Sequence, residues 1–167
     1  QQVDFAVLVG AALEMGAVAT EDLDFFKHGG FKLSLIRRAI KLDLDRKRYV
    51  YGGSTISQQL VKNLFLSREK TLARKIEEAL ITWQMERTVP KNRILALYLN
   101  CIEYAPGLYG IQNAAQKYFG KDVDQLTPLQ GAFLMGLKPY PWAGWRQYER
   151  GHLDKWWIRR VRKILEG

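Results

Sequence analysis

The sequence predicts a mainly α-helical fold, and three observations support that class. Apolar residues recur at helical spacing in separate segments, most clearly over 32–45 and 68–87. Residues that cap or interrupt helices, such as Ser54 and Pro90, stand between such segments. Strand signals are few and short. The 167 residues, 47% of them hydrophobic, are enough for a single domain with a sizeable core.

Helix caps and apolar spacing together predict about seven to nine helices. Ser54 and Ser67 are expected to cap two of them, because a side-chain hydroxyl accepts from the free N–H groups of a first turn. In 127–130, threonine, proline and glutamine fit a capping box. The expected helices cover 3 to about 16, 32–45, 54–65, 68–87, 90–99, 111–119, 128–137 and the tail over 153–165.

The helix predicted over 68–87 has two contrasting sides. One side is an apolar stripe formed by Leu72, Ile76, Leu80 and Trp83. The other side is charged and carries Lys70, Arg74 and Glu78. The charged side is either a solvated face or a wall turned toward a cleft, and periodicity does not separate the two. The amphipathic tail is expected to pack on the domain rather than to lie on an acidic membrane.

The charge balance points to an anionic partner. The chain has 26 Lys and Arg residues against 17 Asp and Glu, a formal net charge of +9. Nucleic acid, acidic lipid and a phosphorylated substrate all fit this charge. One cysteine and two histidines exclude an internal disulfide and leave no zinc-type ligand set. No run of about 18 apolar residues occurs, so no segment of this sequence is predicted to span a bilayer.

Residues 21–30 form an acidic and aromatic cluster in a basic chain. A carboxylate beside aromatic rings loses hydration, which raises its pKa and suits it to act as a general base near neutral pH. Three carboxylates, Glu21, Asp22 and Asp24, share the stretch with Phe25 and Phe26, and the stretch alone does not single out one of them. The alternative is structural, because Thr20 can cap a helix whose positive end attracts acidic side chains. This stretch alone leaves both readings open.

Residues 52–63 form a second cluster, in which two glycines lead into a hydroxyl-rich helix start. The free backbone N–H groups of such a start bind an anion or a sugar oxygen. Four further polar side chains follow: Gln58, Gln59, Lys62 and Asn63. A structural cap explains the serines but not this group, so a binding site is the favoured interpretation.

Both clusters resemble motifs of the family 51 glycosyltransferases, the peptidoglycan glycosyltransferase domains of bifunctional penicillin-binding proteins and of monofunctional biosynthetic peptidoglycan transglycosylases. The first family motif, E-D-x-x-F-x-x-H-x-G, is matched by Glu21, Asp22, Phe25, His28 and Gly30. The second, G-G-S-T-I-T-Q-Q-L-x-K-N, is matched over 52–63 with only Ser57 differing. The third, R-K-x-x-E, falls on Arg74, Lys75 and Glu78.

The fourth and fifth motifs follow in the same order. The fourth falls on 98–100 and 109–111, and 126–139 resembles the fifth. Two positions depart from the family pattern: Ala105 stands where glycine is usual, and Gln130 where glutamate is usual. Glutamine still serves at the third position of a capping box, so that change is expected to be structural and tolerated.

The resemblance implies a reaction between a growing lipid-linked glycan, as donor, and lipid II, as acceptor. The acceptor 4-hydroxyl attacks the anomeric carbon of the donor, an undecaprenyl diphosphate leaves, and a β-1,4 linkage forms with inversion. By the same resemblance Glu21 is the base that deprotonates the acceptor. Glu78 is the second essential carboxylate, which either holds a divalent cation or orients the phosphates. Mg²⁺ or Mn²⁺ would suit that role, although no ligand pattern requires it.

The resemblance also assigns substrate-binding roles, which fall on Asp22, Ser54, Gln58, Gln59, Lys62, Asn63, Arg74 and Lys75. The three cations among them are expected to neutralise the leaving diphosphate, since arginine grips phosphate with two parallel bonds and lysine acts as a mobile point charge. Arg74 and Glu78 have the plain alternative of an i,i+4 ion pair. Asp22 is expected either to act in the site or to brace its loop, and His28 to fix that loop by hydrogen bonding to the backbone.

A lysozyme-like, two-lobed helical domain with an elongated cleft follows from the resemblance. Residues 1–167 are expected to form this one domain, with a small flexible lobe at about 30–52. In the family the small lobe lies against the membrane and an N-terminal transmembrane helix, absent from this sequence, places the domain on the outer face of the bacterial cytoplasmic membrane. The expected partners are lipid II, the lipid-linked nascent glycan, the membrane surface and cell-wall synthesis proteins, and not nucleic acid.

Two other functions stay open as alternatives. A lytic transglycosylase or lysozyme-like enzyme of the same shape would use one glutamic acid to protonate a glycosidic oxygen. It would not need Lys62, Arg74 and Lys75 arranged for a diphosphate. A non-catalytic basic module that binds nucleic acid or membranes is favoured only by the charge and the five tryptophans.

Overall fold

The computed structural model describes residues 16–18, 20–32, 54–67, 69 and 71–166. Three predicted features lie wholly or almost wholly outside these residues: the N-terminal helix, the helix over 32–45 and the small lobe at about 30–52. Gly52 and Gly53, which open the second cluster, also lie outside them.

Helices make up most of the described chain, which confirms the mainly α class. Strands β1 (Glu103–Ala105) and β2 (Leu108–Tyr109) form a short antiparallel hairpin, and short 3-10 helices cover Phe25–Lys27 and Val123–Gln125. The α-helices whose bounds lie within the described residues are α1 (Ile56–Phe65), α2 (Leu72–Thr88), α3 (Lys91–Cys101), α4 (Ile111–Phe119), α5 (Pro128–Leu137), α6 (Pro141–Glu149) and α7 (Lys155–Glu166), and residues 16–18, 20 and 21 are also helical. Within the ranges described, no helix has the length and apolar character needed to cross a bilayer.

A threonine caps α1, one residue after the predicted Ser54. The Thr55 hydroxyl accepts from the backbone N–H of Gln58 at 3.2 Å, and the Gln58 side-chain oxygen accepts from the Thr55 N–H at 3.1 Å. This reciprocal pair satisfies two N–H groups that the first turn leaves free. The helix ends at Phe65, as predicted.

A threonine also caps α2, so the predicted cap at Ser67 is wrong. The Thr71 hydroxyl accepts from the backbone N–H of Arg74 at 3.1 Å, and the helix begins at Leu72. Ser67 instead accepts from the N–H of Glu69 at 3.4 Å, which is a local turn contact. At both α1 and α2, two hydroxyl residues lie near the start of the helix. The one that comes later in the sequence caps it, because the helical residues begin directly after it.

The capping box predicted for α5 is confirmed. The Thr127 hydroxyl accepts from the N–H of Gln130 at 3.3 Å, and the Gln130 side-chain oxygen accepts from the Thr127 N–H at 2.9 Å. Glutamine at position 130 therefore completes the cap in place of the usual glutamate, as the sequence predicts.

Helix α5 lies at the centre of the core. Its residues from Gly131 to Leu137 are all buried, which suits a helix that is apolar on every side. It packs on α7, which buries Trp157, Val161 and Ile164 along one side. This packing confirms that the amphipathic tail lies on the domain. The C-terminal end of α5 then continues into Lys138, a residue of the candidate site.

Helix α2 turns the side that carries Arg74 and Glu78 inward and its apolar stripe outward, while Lys70 lies outside the described residues. Glu78 and Thr82 are buried, whereas the stripe residues are exposed: Leu72, Ile76, Leu80 and Trp83. A buried carboxylate is tolerated only where hydrogen bonds and opposite charges replace water. The solvated-face alternative therefore does not apply to Glu78, and the inward face of α2 is a polar wall of the candidate site.

Candidate active site

The first turn of α1 links two acidic side chains that are distant in the sequence. Gln58 and Gln59 are consecutive, so their side chains leave the helix in different directions. The Gln59 side-chain amide donates to Glu21 Oε2 at 3.2 Å, and that of Gln58 donates to Glu78 Oε1 at 3.4 Å. The first, second and third motifs therefore meet at this turn.

Glu21 lies in a cationic setting. Its Oε2 accepts from the Lys138 ammonium at 2.5 Å, and its Oε1 lies 3.9 Å from a guanidinium nitrogen of Arg160. The Gln59 side-chain oxygen accepts in turn from Lys138 and from the Tyr98 hydroxyl, the latter at 3.2 Å. The Glu21 side chain stays 15% exposed, so its carboxylate is within reach of a ligand.

The groups that hold Glu21 are cations and an amide, not the aromatic rings of its own motif. Phe25 is fully buried, with its ring beneath the Lys91 ammonium, and Phe26 is 56% exposed. Phe25 therefore serves the core, and Phe26 keeps more than half of its surface in solvent. Charge pairing, rather than the aromatic desolvation expected from the sequence, dominates the contacts of this carboxylate.

Burial changes the protonation behaviour of two groups beside Glu21. It lowers the pKa of the Lys138 ammonium below the ordinary 10.5, while the negative charge of Glu21 opposes that shift. Burial also raises the pKa of the Tyr98 phenol above its ordinary range, and Glu21 adds to that effect. Tyr98 therefore stays protonated and keeps donating to Gln59, whereas Lys138 loses its proton at a lower pH than an exposed lysine.

Glu78 is almost inaccessible and is held by two cations of its own helix. Its Oε2 accepts from Arg74 at 3.0 Å, and its Oε1 accepts from Lys75 as well as from Gln58. The Lys75 ammonium also lies 3.5 Å from the Ser54 hydroxyl. Among the residues that the structure describes, the buried Nε of Arg74 has no hydrogen-bond partner. An unpaired buried N–H is costly, and this one belongs to a guanidinium whose Nη1 already donates to Glu78.

The surroundings of Glu78 do not fit a divalent cation. Both of its oxygens already accept from Arg74, Lys75 or Gln58, and two of these groups carry the positive charge that a metal ion would supply. In the described part of the chain, no three His, Cys, Asp or Glu side chains are grouped as a metal site would need. Mg²⁺ and Mn²⁺ prefer several oxygen ligands, which this cluster does not offer.

Asp22 braces the first motif against the start of α1. It is 2% exposed, and its Oδ2 accepts from the backbone N–H of Ile56 at 3.1 Å. The Lys32 ammonium lies 2.7 Å from Oδ1, and His28 Nε2 lies 3.0 Å from both oxygens. Because the N–H of Gly30 donates to His28 Nδ1 at 3.1 Å, the proton is on Nε2. These contacts support the bracing alternative for Asp22 and the loop-fixing role expected of His28.

The last glycine of the first motif is required by its backbone conformation and its neighbours. Gly30 has φ of 90°, and an added Cβ would lie 2.8 Å from Glu86 Cγ. Its carbonyl accepts from the Thr55 hydroxyl at 2.7 Å. Glu86 accepts from Ser57 and, at 2.8 Å, from Lys91. Serine at position 57 thus keeps the hydroxyl of the threonine that is usual there, and it ties α1 to α2.

Lys62 and Asn63 are exposed residues of α1 with different neighbours. The charge of Lys62 lowers the pKa of Lys138, which places it on the Glu21 side of the site. Burial raises the pKa of the Cys101 thiol, and a hydrogen bond with the Asn63 side chain opposes that shift. Lys62 is thus near the candidate site, whereas Asn63 contacts α3.

Two residues of the candidate site, Lys138 and Arg160, were not predicted from the sequence. Lys138 carries a signal, since it is the first charged residue after the apolar helix α5 and is followed by Pro139. Arg160 carries a stronger signal, because it lies one turn from both Trp157 and Ile164, on the side of α7 that faces α5. An arginine on the buried side of an amphipathic helix needs an anionic or carbonyl partner, and here Glu21 and the Gly136 carbonyl are those partners.

The sequence profile of the transglycosylase family matches residues 6–166. This match covers nearly the whole chain, so the chain belongs to the transglycosylase family. The family is the one that the five motifs resemble, and the helical fold described above agrees with it.

Named relatives are similar over most of this chain. A biosynthetic peptidoglycan transglycosylase of Nitrosomonas eutropha is 43% identical over 153 residues, which cover 92% of this chain and 61% of the relative. Another, of Acinetobacter baumannii, is 46% identical over 148 residues, covering 89% and 64%. A third, of Nitrosospira multiformis, is 40% identical over 153 residues, covering 92% and 65%. The chain spans less than two thirds of the length of these relatives.

Proposed function

We propose that this domain is a peptidoglycan glycosyltransferase, which polymerises lipid II into β-1,4-linked glycan strands. The observation that carries the proposal is the linkage of Glu21 and Glu78 through the consecutive Gln59 and Gln58. One carboxylate is accessible for proton transfer, and the other is committed to two cations. Similarity to relatives named biosynthetic peptidoglycan transglycosylases supports the same substrate class.

Glu21 takes the proton of the acceptor 4-hydroxyl as that oxygen attacks the anomeric carbon of the donor. Lys138 and Gln59 hold Oε2 and so fix the orientation of the carboxylate. Oε1 has the looser contact, 3.9 Å from Arg160, and is the oxygen that receives the proton. The inverted linkage follows because the hydroxyl attacks from the side opposite to the leaving group.

The bond from the anomeric carbon to the diphosphate oxygen breaks in the same step, and the lipid diphosphate leaves with the bonding electrons. Arg74 and Lys75 are placed to meet this developing negative charge, and the unpaired Nε of Arg74 supplies a further donor. Glu78 keeps both cations in place, which is a positioning role. Ser54 adds a hydroxyl beside Lys75, whereas Lys62 adds a positive charge near Lys138, on the Glu21 side of the site.

The proposed reaction also implies where the domain works. Its substrates are lipid II and the lipid-linked nascent glycan, so it acts at a membrane surface, on the outer face of the bacterial cytoplasmic membrane. The net charge of +9 suits an acidic lipid surface. Other cell-wall synthesis proteins are natural partners there.

Two substrates distinguish this function from its rivals. We expect the domain to convert lipid II into polymer, visible as a ladder on a gel, and to release no soluble muropeptides from isolated cell wall. Release of muropeptides without polymer would establish the lytic alternative. Salt-sensitive DNA binding without turnover of lipid II would establish the non-catalytic basic module.

The lowered pKa of Lys138 predicts that the activity falls at a lower alkaline pH than the pKa of an exposed lysine would set. The ammonium is charged below its pKa and neutral above it, so its ionic hold on Glu21 is lost as the pH rises through a value below 10.5. We expect kcat/KM of the parent to fall over that range. Lys138→Arg, whose guanidinium stays charged, should keep its own kcat/KM level to higher pH. Profiles that fall together would exclude Lys138 as the group responsible.

A further inference from the structure

An exposed aromatic pair stands beside the Glu21 cluster. Tyr140 and Trp156 are 60% and 41% exposed, and their ring centroids lie 5.8 Å apart in an edge-to-face arrangement. Tyr140 follows Lys138 closely in the chain, and Trp156 lies in the first turn of α7, one turn before Arg160. Two large rings exposed together beside a candidate catalytic group indicate a contact surface.

Arg160 joins this aromatic pair to Glu21. Its guanidinium carbon lies 5.7 Å from the centroid of the Trp156 ring, and one guanidinium nitrogen lies 3.9 Å from Glu21 Oε1. Its Nε donates to the Gly136 carbonyl at 3.2 Å, which fixes the guanidinium between ring and carboxylate. The aromatic pair therefore forms one continuous surface with Arg160 and Glu21.

The chemistry of this surface fits a sugar ring better than a phosphate. Among the described residues, the two cations in contact with Glu21 are already committed, since Lys138 pairs with Glu21 and Arg160 bonds to the Gly136 carbonyl. Aromatic faces offer an apolar surface to the C–H groups of a pyranose, while polar groups at the edge reach its hydroxyls. Arg160 and Glu21 supply such polar groups at the edge of the pair.

We infer that Tyr140 and Trp156 form a glycan subsite, which holds one pyranose ring of the acceptor beside Glu21. This inference rests on the proposed function. An inverting displacement places the attacking hydroxyl and the leaving group on opposite sides of the anomeric carbon. Because the diphosphate leaves toward Arg74 and Lys75, the acceptor ring lies on the Glu21 side, which is the side of the aromatic pair.

Kinetics with lipid II test the subsite. For Trp156→Ala and for Tyr140→Ala we expect KM for lipid II to rise about three- to tenfold, as loss of one stacking contact predicts. We expect kcat to stay within about twofold of the parent, because this contact is made equally in the ground state and the transition state. Trp83→Ala, which removes an exposed tryptophan from the outer side of α2, is the matched control and should keep the parent KM.

A soluble probe separates this inference from the proposed function. N-acetylglucosamine tetrasaccharide should bind the parent and Trp83→Ala alike, and Tyr140→Ala and Trp156→Ala about three- to tenfold more weakly, measured by calorimetry with unchanged melting temperatures. A parent that binds the probe but makes no polymer would uphold the subsite and overturn the proposed function. If both variants keep the parent KM and the parent affinity for the probe, the subsite is overturned and the proposed function is not. The same holds if the variants lose only affinity for anionic lipid vesicles, measured in parallel, and still bind the probe like the parent.

Discussion

Replacing Glu21 by glutamine is expected to abolish polymerisation of lipid II, with kcat falling about a hundred- to ten-thousandfold. Glutamine has the size of glutamate, and its side-chain oxygen still accepts from Lys138 and Gln59, whose contacts hold Oε2 in the parent. An amide, however, does not take a proton from a sugar hydroxyl at neutral pH. The variant therefore separates the chemistry of the base from the geometry of the site.

The control for this variant is Glu77→Gln, which removes the charge of an exposed glutamate on α2. It should polymerise lipid II at the parent rate. Glu77→Gln should keep the parent melting temperature, whereas Glu21→Gln keeps the hydrogen bonds from Lys138 and Gln59 but loses the ion pair, so its melting temperature should fall slightly. The measurement is the initial rate of polymer formation on a gel. A rate above about a tenth of the parent for Glu21→Gln would exclude position 21 as the base.

Much of the helical architecture is readable from local sequence, but the competition between neighbouring caps is not. The box at Thr127 and Gln130 has a single hydroxyl at the correct spacing, so the start of α5 was predicted correctly. At α1 and α2 two hydroxyl residues stand within a few positions of each other, and the later one caps the helix. Which of them wins depends on where helical hydrogen bonding begins, a choice that tertiary packing makes.

The orientation of α2 is a second limit of sequence reasoning. An apolar stripe normally marks the buried side of a helix, because burial of apolar surface drives packing. Here the opposite side is buried, since Glu78 exchanges hydration for contacts with Arg74, Lys75 and Gln58. Periodicity records which residues share a side, and contacts from other elements decide which side turns inward.

The partners of Glu21 show the same limit at longer range. Motif spacing located Glu21 and Gln59, which the structure joins at 3.2 Å. Lys138 is 117 positions from Glu21 in the sequence, and no periodic signal connects residues at that separation. Arg160 was accessible to sequence reasoning only through its place on the buried side of α7. The contacts of the catalytic candidate therefore depended on the packing of α5 and α7.

Glu78→Gln is expected to reduce both activity and stability, and to lower stability more than Glu21→Gln does, because Glu78 is the more deeply buried carboxylate. The Glu78 side chain is 2% exposed and is the shared anion of Arg74 and Lys75. With a neutral amide in its place, the two partly buried cations repel each other without compensation, which costs about 1–3 kcal/mol of unfolding free energy. The same loss disorders the groups that meet the leaving diphosphate, so kcat should fall about a hundred- to a thousandfold.

Denaturant unfolding and polymerisation rates, measured on the same preparations, test this double effect. Glu77→Gln, its neighbour on α2, is the matched control and should retain the parent value of both quantities. Since the cations act on charge that develops as the diphosphate leaves, the change should appear in kcat more than in KM for lipid II. A Glu78→Gln enzyme that is destabilised yet keeps the parent kcat would reduce the Arg74–Glu78–Lys75 cluster to a structural ion-pair network. One that keeps both parent values would show that the buried charge matters neither to folding nor to the departure of the diphosphate.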